Sequence, residues 1–577
     1  MRDCECEEAG AVRNRRAGDV IAAILAMALA ASSPAAGLPW QADMGNGMYR
    51  NPVLAGDYSD PDVVRVGQDF YLVASSFTNV PGLPILHSRD LVNWTIVGHA
   101  LHHLEPAAHF STPRRGGGVW APAIRYRNRR FLIYYPDPDR GIYLVTAKDP
   151  RGPWTEPMLV WDAKGAIDPA PFWDAKGRGW LVNAWAGSRA GFNNIVTLNR
   201  LSTDGAHVVG KGRTIIDGKD FAPVATRDGV RRWSVIEGPK LYRRNGWFYL
   251  FAPAGGVKQG WQGVFRSRRI EGPYEARNVM DQGTTDINGP HQGAWVTTAQ
   301  GEDWFIHFQD RDGYGRVVHL EPMSWRGDWP VIGTDPDGDG RGEPVTVHAK
   351  PRVAAQVSSV PQASDDFAAG IGPAWQWNSD PGADWARIAG GKLRLKSVTA
   401  SANLYEAGNL LSQKLPAPSF SATTIVTFAP LRVGERTGLA IAGHSYAFIG
   451  LENMAEGIRL IEESSSDTTV HRVTGPLVAT GRIWLRLRAE PTILDVPGPP
   501  EAEFDLPAMH KAIEPKVRFS YSLDGRSFVD LGEAFVADQG RWTGAQIGLF
   551  ATAPYGTPAA VATSVGHADY ESFTVGR

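Results

Sequence analysis

Apolar and polar positions alternate along short stretches of this chain, and the stretches come in pairs joined by tight turns. The clearest pair is Ile236 to Phe251, IEGPKLYRRNGWFYLF, in which Asn245-Gly246 marks a two-residue turn and Trp247, Phe248 and Tyr249 begin the return strand. Four other segments share this form, each beginning at or beside a proline. Asp60-Pro61 precedes the run Phe70 to Val73, Pro122 precedes Phe131 to Tyr134, Asp168-Pro169 precedes Trp180 to Val182, and Pro290-His291 precedes Trp304 to Ile306. Five copies at a spacing of roughly 40 to 70 residues, with little helical periodicity between them, predict a five-bladed β-propeller, one blade per copy. The expected propeller spans residues 45–345.

Residues 346–364, rich in Val, Ala, Ser and Pro, read as a linker or strap. A second all-β pattern fills 365–577, with strands expected at Lys392 to Leu395, Tyr446 to Leu451, Ile483 to Leu487, Val517 to Ser522 and Gln546 to Phe550. That pattern predicts a β-sandwich of the jelly-roll, concanavalin-like kind. Glu490 to Lys511, with Pro491, Pro497, Pro499 and Pro500, is expected to be a surface loop. The fold class is therefore all-β.

The first 36 residues have the form of an export signal: Arg13, Arg15 and Arg16, an apolar run from Val20 to Ala31, then small residues. A run of about a dozen residues is too short to span a bilayer as a helix. Acidic Glu5, Glu7 and Glu8 are unusual in such a signal and suggest a later start. Cys4 and Cys6, the only cysteines, would leave with it, so no disulfide is expected in the mature protein. The expected location is periplasmic or extracellular, with no membrane association after processing. With 59 basic against 61 acidic residues there is no electrostatic basis for a nucleic-acid partner. The 20 tryptophans suit sugar faces as well as cores.

In a propeller, equivalent points of the repeats meet around the axis, and three of the five repeats carry an acid near that point: Asp60, Asp168 and Glu237. Cleaving a glycosidic bond needs an acid to protonate the departing oxygen and a second carboxylate to activate water or attack the sugar. With Asp60 as base and Glu237 as acid, Asp168 beside Glu237 would hold its proton on, since like charges at short range raise a carboxyl pKa. Asp62, two residues on, rivals Asp60, which is preferred because it precedes a proline as Asp168 does. His291 and Arg316 in the fifth repeat are candidates to bind sugar hydroxyls or steady an acid. Between the domains, Asp335, Asp337 and Asp339 alternate as in a calcium loop, although the twelfth position is Thr346 rather than an acid. A structural calcium is therefore weighed against a plain Asp-Gly turn, and no cofactor is expected for catalysis.

Asn51-Pro52-Val53-Leu54, Ser59-Asp60-Pro61-Asp62, Ser75-Ser76-Phe77, Pro81-Gly82, His87-Ser88 and Asp90-Leu91-Val92-Asn93-Trp94 resemble the opening of glycoside hydrolase family 43. Val119-Trp120-Ala121-Pro122, Ile167-Asp168-Pro169, Glu237-Gly238-Pro239 and Gly315-Arg316-Val317 continue the likeness in the family's order, and Phe519 to Gly525 with Gly548-Leu549-Phe550 are similar to its accessory sandwich. The resemblance implies an exo-acting, inverting enzyme releasing pentose units from chain ends of oligosaccharides or xylan. It implies Asp60 as general base, Asp168 as modulator and orienting group, and Glu237 as general acid. Phe77 and Trp120 would line the terminal-sugar pocket, Arg316 would contact that sugar, and His291 would sit at the channel centre. Members with the sandwich include β-xylosidases, α-L-arabinofuranosidases and bifunctional enzymes. Thr78-Asn79-Val80, where xylosidases often carry an aromatic, and Ser59, where many members have proline, leave the preferred sugar open. β-Xylosidase leads, α-L-arabinofuranosidase or a bifunctional enzyme follows, and a non-catalytic carbohydrate-binding protein is the alternative from another class.

Overall fold

A computed structural model describes residues 37–362, 364–382, 384–398, 403–466, 469–497, 509–556 and 565–577. The expected export signal with Cys4 and Cys6, and Pro499 and Pro500, lie outside the described residues. Among those described, no helix is long and apolar enough to cross a membrane.

Five four-stranded antiparallel sheets follow one another along the chain, each with its strands in sequence order, as the blades of a propeller. Their innermost strands begin at Asp62, Ala123, Ala166, Lys240 and His291. The Asn245-Gly246 turn forms as its sequence dictates: Arg244 pairs with Trp247, and both turn residues take the positive φ that a tight two-residue hairpin requires, 49° and 76°.

Blade strands are apolar on both faces, so each blade buries one face against each neighbour. Val73, Leu83 and Ile85 of the first blade meet Ile124 and Ile133 of the second, and Tyr249 and Phe251 of the fourth meet Phe305 and Ile332 of the fifth. Ring closure uses the same device: Phe70, Leu72 and Leu86 of the first blade pack with Ala294, Val296, Trp304 and Ile306 of the fifth. Complete burial of one such side chain contributes roughly 1.5–3 kcal/mol. The closure is reinforced by backbone pairing of Leu54 with Val318 and by the buried Tyr49 hydroxyl donating to Leu320 O at 2.7 Å. Part of the strap, Val347–Ala349, pairs with Met48–Arg50.

The C-terminal residues form a concanavalin-like sandwich of a seven-stranded and an eight-stranded sheet around one apolar core. All five strands expected from the pattern are present. The described parts of Glu490 to Lys511, residues 490–497 and 509–511, depart from expectation. Instead of a surface loop, strands Arg482–Pro497 and Met509–Ser522 stay paired from Trp484↔Ser522 out to Pro497↔Met509, with Pro491 opposite Pro515. The neighbouring strand Phe420–Ala429 stops pairing at Ala489, so beyond it the Arg482–Pro497 strand is an edge, where a residue lacking N–H is tolerated, while on the other side Pro515 needs only its carbonyl, which accepts from Ala537 N at 2.9 Å.

Asp335, Asp337 and Asp339 bring ligand atoms within 4.8 Å of one another. Asp335 already accepts from Gly338 N and Gly340 N and pairs with Arg326 at 2.7 Å, and Asp339 pairs with Arg341 at 3.2 Å. Two of the three carboxylates are thus already paired with arginines, a poor fit to a calcium site that needs its carboxylates free for the ion.

Candidate active site

Register of the inner hairpins places Asp62, Ala123, Ala170, Lys240 and Ala294 at one level. Two residues before that level stand Asp60, Ala121, Asp168, Gly238 and Gln292, and four of these five have φ between 47° and 58°. This left-handed turn swings the chain across the mouth of the channel, ahead of the strand in the first and fourth blades and at a register shift within it in the third and fifth, and Asp and Gly tolerate it better than most residues. Asp60 and Asp168 are therefore equivalent, whereas Glu237 lies one residue earlier, level with Ser59, Trp120, Ile167 and His291. The apparent match of all three acids is corrected accordingly: in the fourth blade glycine takes the turn, because a Cβ at Gly238 would run into the Gln292 amide. Likewise Pro61, Pro122, Pro169 and Pro239 share a position that Gly293, not Pro290, holds in the fifth blade.

These two levels open into one cavity of about 170 Å³, lined by Asp60, Phe77, Trp120, Asp168, Glu237 and Arg316 among others. Of the sequence candidates His291 is absent from the lining; it is fully buried beneath Glu237, its Nε2 2.5 Å from Glu237 Oε1. Asp62 is fully buried too, bound to Arg125 and to Ile124 N, away from the cavity.

Asp60 meets donors only. Ser59 Oγ and Ser75 Oγ donate to Oδ2 at 2.8 and 2.5 Å, and Arg316 donates to Oδ1 at 3.3 Å and to Ser59 Oγ at 2.8 Å. Asp168 accepts from Gly238 N at 2.7 Å and from Gln292 Nε2 at 3.0 Å. Burial pushes the Asp168 carboxyl up to about 7; the charge of Glu237 and, more weakly, that of Asp60 add to this, outweighing the two donors. One Oδ of Asp168 is thus tied to the backbone of the residue after Glu237, which fixes the two side chains relative to each other.

The remainder of the cavity wall comes mostly from residues outside the motifs of the family likeness. Gln292 follows from register alone. Trp185 stands at the end of a third-blade strand. Arg541 and Trp542 come from the sandwich, in a turn between Gly540 and Gly544, and Trp542 takes φ 66°. Arg316 lies 4.8 Å from the ring centre of the buried Phe308 and 5.7 Å from that of Trp542 in the cavity wall, so one guanidinium faces the base and two aromatic rings.

An aromatic-walled cavity with three carboxylates and two arginines suits a neutral sugar ring. The model of glycosyl hydrolases family 43 matches residues 49–330, and that of the beta xylosidase C-terminal concanavalin A-like domain matches 364–575. A Xylanibacter ruminicola protein provisionally named a beta-xylosidase is 35% identical over 516 residues, covering 88% of this chain and 87% of its own. This chain belongs to glycoside hydrolase family 43.

As a family 43 member it is a glycoside hydrolase with a carbohydrate substrate, of the xylosidase/arabinosidase group. It is similar to a Formosa agariphila beta-xylosidase, 29% identical with 88% of each chain covered. A Bacteroides ovatus non-reducing end alpha-L-arabinofuranosidase is 27% identical, with 77% of this chain and 83% of the relative covered. In fold it resembles the crystal structure of a xylan beta-1,4-xylosidase from Bacillus halodurans, with TM-score 0.76, 23% identity, and 92% and 100% of the two chains covered.

Proposed function

We propose that this family 43 hydrolase is exo-acting and inverting, and that it releases terminal β-D-xylose from xylo-oligosaccharides or xylan side chains. In this reading Asp60 is the general base that activates water, Glu237 the general acid that protonates the departing oxygen, and Asp168 the group that orients Glu237 and modulates its charge. The observation that carries it is the division of surroundings among three acids in one cavity. Asp60 is met by two hydroxyls and a guanidinium, an acceptor set for taking a proton from water. Glu237 lies against a single imidazole nitrogen and keeps a quarter of its side chain exposed toward the mouth. Asp168 is raised to about 7 by burial first and by the charge of Glu237 next, the mutual like-charge effect by which one carboxyl modulates its neighbour.

Enclosure of the cavity by Trp120, Trp185 and the sandwich's Trp542 favours one terminal sugar over a chain passing through. The relatives' names include both xylosidase and arabinofuranosidase, so an α-L-arabinofuranosidase or bifunctional enzyme is the second reading. Export to the periplasm or outside, inferred from the leader, fits a polymeric pentose source.

The test is hydrolysis of paired chromogenic β-D-xyloside and α-L-arabinofuranoside by the wild type, Asp60→Ala and Glu237→Ala, with the released sugar's anomer followed by NMR. Xyloside cleavage with first-formed α-xylose, abolished in Asp60→Ala, supports the reading. First-formed β-xylose would overturn inversion, and a preference for the arabinofuranoside would install the second reading.

A further inference from the structure

Lys258 belongs to a short helical turn, Gly256–Gln259, between two strands of the fourth blade, beside Val257 of the cavity wall. Its ammonium lies 2.5 Å from Oδ1 of both Asp310 and Asp312 in the fifth blade, and all three side chains are largely buried. Burial opposes charge on each, yet Lys258 is raised and Asp310 lowered, because each group's partners outweigh desolvation; for Asp310 those partners are Lys258 and Arg316.

The two carboxylates have different second tasks. Asp310 is the cross-strand partner of Arg316, and its Oδ2 lies 3.8 Å from Arg316 Nε, on the opposite side of the guanidinium from the NH1 that reaches Ser59 and Asp60. Asp312 sits in the turn between them with φ 51°, and its Oδ2 accepts from Ile513 N, in the sandwich's two-stranded arm, at 2.9 Å. The sandwich grips the same turn elsewhere: Ala545 N donates to Gly313 O at 2.8 Å, and Tyr314 Oη donates to Pro418 O at 2.8 Å.

We propose that Lys258 is a positioning residue for the reaction: through Asp310 it aligns Arg316 against Asp60, and through Asp312 it holds the sandwich arm on the turn that carries Arg316. The proposal rests on Asp60 as the base. A buried ammonium shared by two carboxylates has one geometry, so it sets the turn more narrowly than apolar packing would. Catalysis is sensitive to that, since displacement of a reacting group by about 1 Å costs on the order of 100-fold in rate.

The test uses the full chain as Lys258→Met, Lys258→Arg, Asp310→Asn and Asp312→Asn. Readouts are kcat and KM on whichever pentoside the wild type cleaves, and hydrogen exchange of 311–316 and 510–516. Lys258→Met is expected to lower kcat about 10- to 100-fold with KM within about threefold, and to speed exchange in both segments. Lys258→Arg is expected to recover most of kcat. Asp310→Asn should reproduce the kcat loss without loosening 510–516, and Asp312→Asn should loosen 510–516 with kcat within about threefold. Should Lys258→Met fail to fold, the two aspartate variants decide the matter. The proposal is overturned if kcat in Lys258→Met and Asp310→Asn stays near wild type, or if Lys258→Arg is as impaired as Lys258→Met. Wild-type inactivity on both pentosides would refute the proposed function, while the exchange pattern would still decide whether Lys258 sets the turn.

Discussion

Trp542 of the sandwich meets Trp120 of the second blade edge to face, ring centres 6.2 Å apart at 67°. The catalytic propeller therefore does not complete its own cavity. Gly544 N, two residues on, donates to Asp57 Oδ2 at 3.0 Å, while Asp57 Oδ1 accepts from Arg316 N at 2.9 Å. One carboxylate thus joins the sandwich loop to the arginine that faces the base. Gly315 permits this approach, since a Cβ there would sit 2.7 Å from Gly544 N.

Trp542→Ala removes an aromatic wall and leaves the acids in place. An aromatic pair of this kind contributes about 0.5–1.5 kcal/mol beyond its area. The expected outcome is a roughly threefold to tenfold fall in kcat/KM, mainly in KM, with melting temperature little changed. Steady-state kinetics beside thermal unfolding check it.

Glu237→Ala should depend on the leaving group. A glycoside of a strongly acidic phenol departs without a proton, so its hydrolysis should fall far less than that of xylobiose, for which the loss is expected at about 100- to 10,000-fold. Asp60→Ala should lose both equally, because activation of water is needed whatever departs. Rates on the two substrate types separate these roles.

Asp168→Asn should flatten a pH dependence of stability. The folded carboxyl is raised from 3.8 to about 7 by burial first and by Glu237 next. Below pH 4 it is protonated in both folded and unfolded states and carries no penalty. As pH rises toward 7 the unfolded group ionises and the folded one resists, so stability is lost across that window. Asparagine still accepts from Gly238 N and Gln292, so the variant's melting temperature should gain on the wild type as pH goes from 4 to 8. Thermal unfolding across that range is the measurement.

Glu514, at the foot of the sandwich arm, should act alike at higher pH. Its carboxyl is raised from 4.5 to about 8 by burial first, then by Asp312 and Asp538, and Oε2 lacks a partner among the described residues. Stability associated with it is present below 4.5 and lost as pH rises through 8. Glu514→Gln should therefore unfold at a higher temperature than the wild type at pH 9 and near the same temperature at pH 4. Equal melting temperatures at pH 9 would show that the buried carboxyl does not govern this contact.

The sequence by itself determined the all-β class, the five hairpin-led blades, the second β domain and the family, because strand alternation, turn chemistry and short motifs are local properties of the chain. Asn245-Gly246 needs no distant partner to form its turn, and Asp60-Pro61 and Asp168-Pro169 mark equivalent positions without a structure. Register decided what proline spacing could not: Glu237 stands one residue out of line with Asp60 and Asp168, and Gln292, not His291, shares their level. Pairing of Glu490 to Pro497 with Met509 to Lys516 was hidden because prolines break a strand pattern, while at a ribbon edge the missing N–H leaves no outer ladder bond to break. Trp542, Arg541, Asp57 and Lys258 were invisible for a further reason. Each acts across a contact between segments from 52 to 487 residues apart, and only tertiary packing brings such pairs within hydrogen-bonding or ring-contact distance.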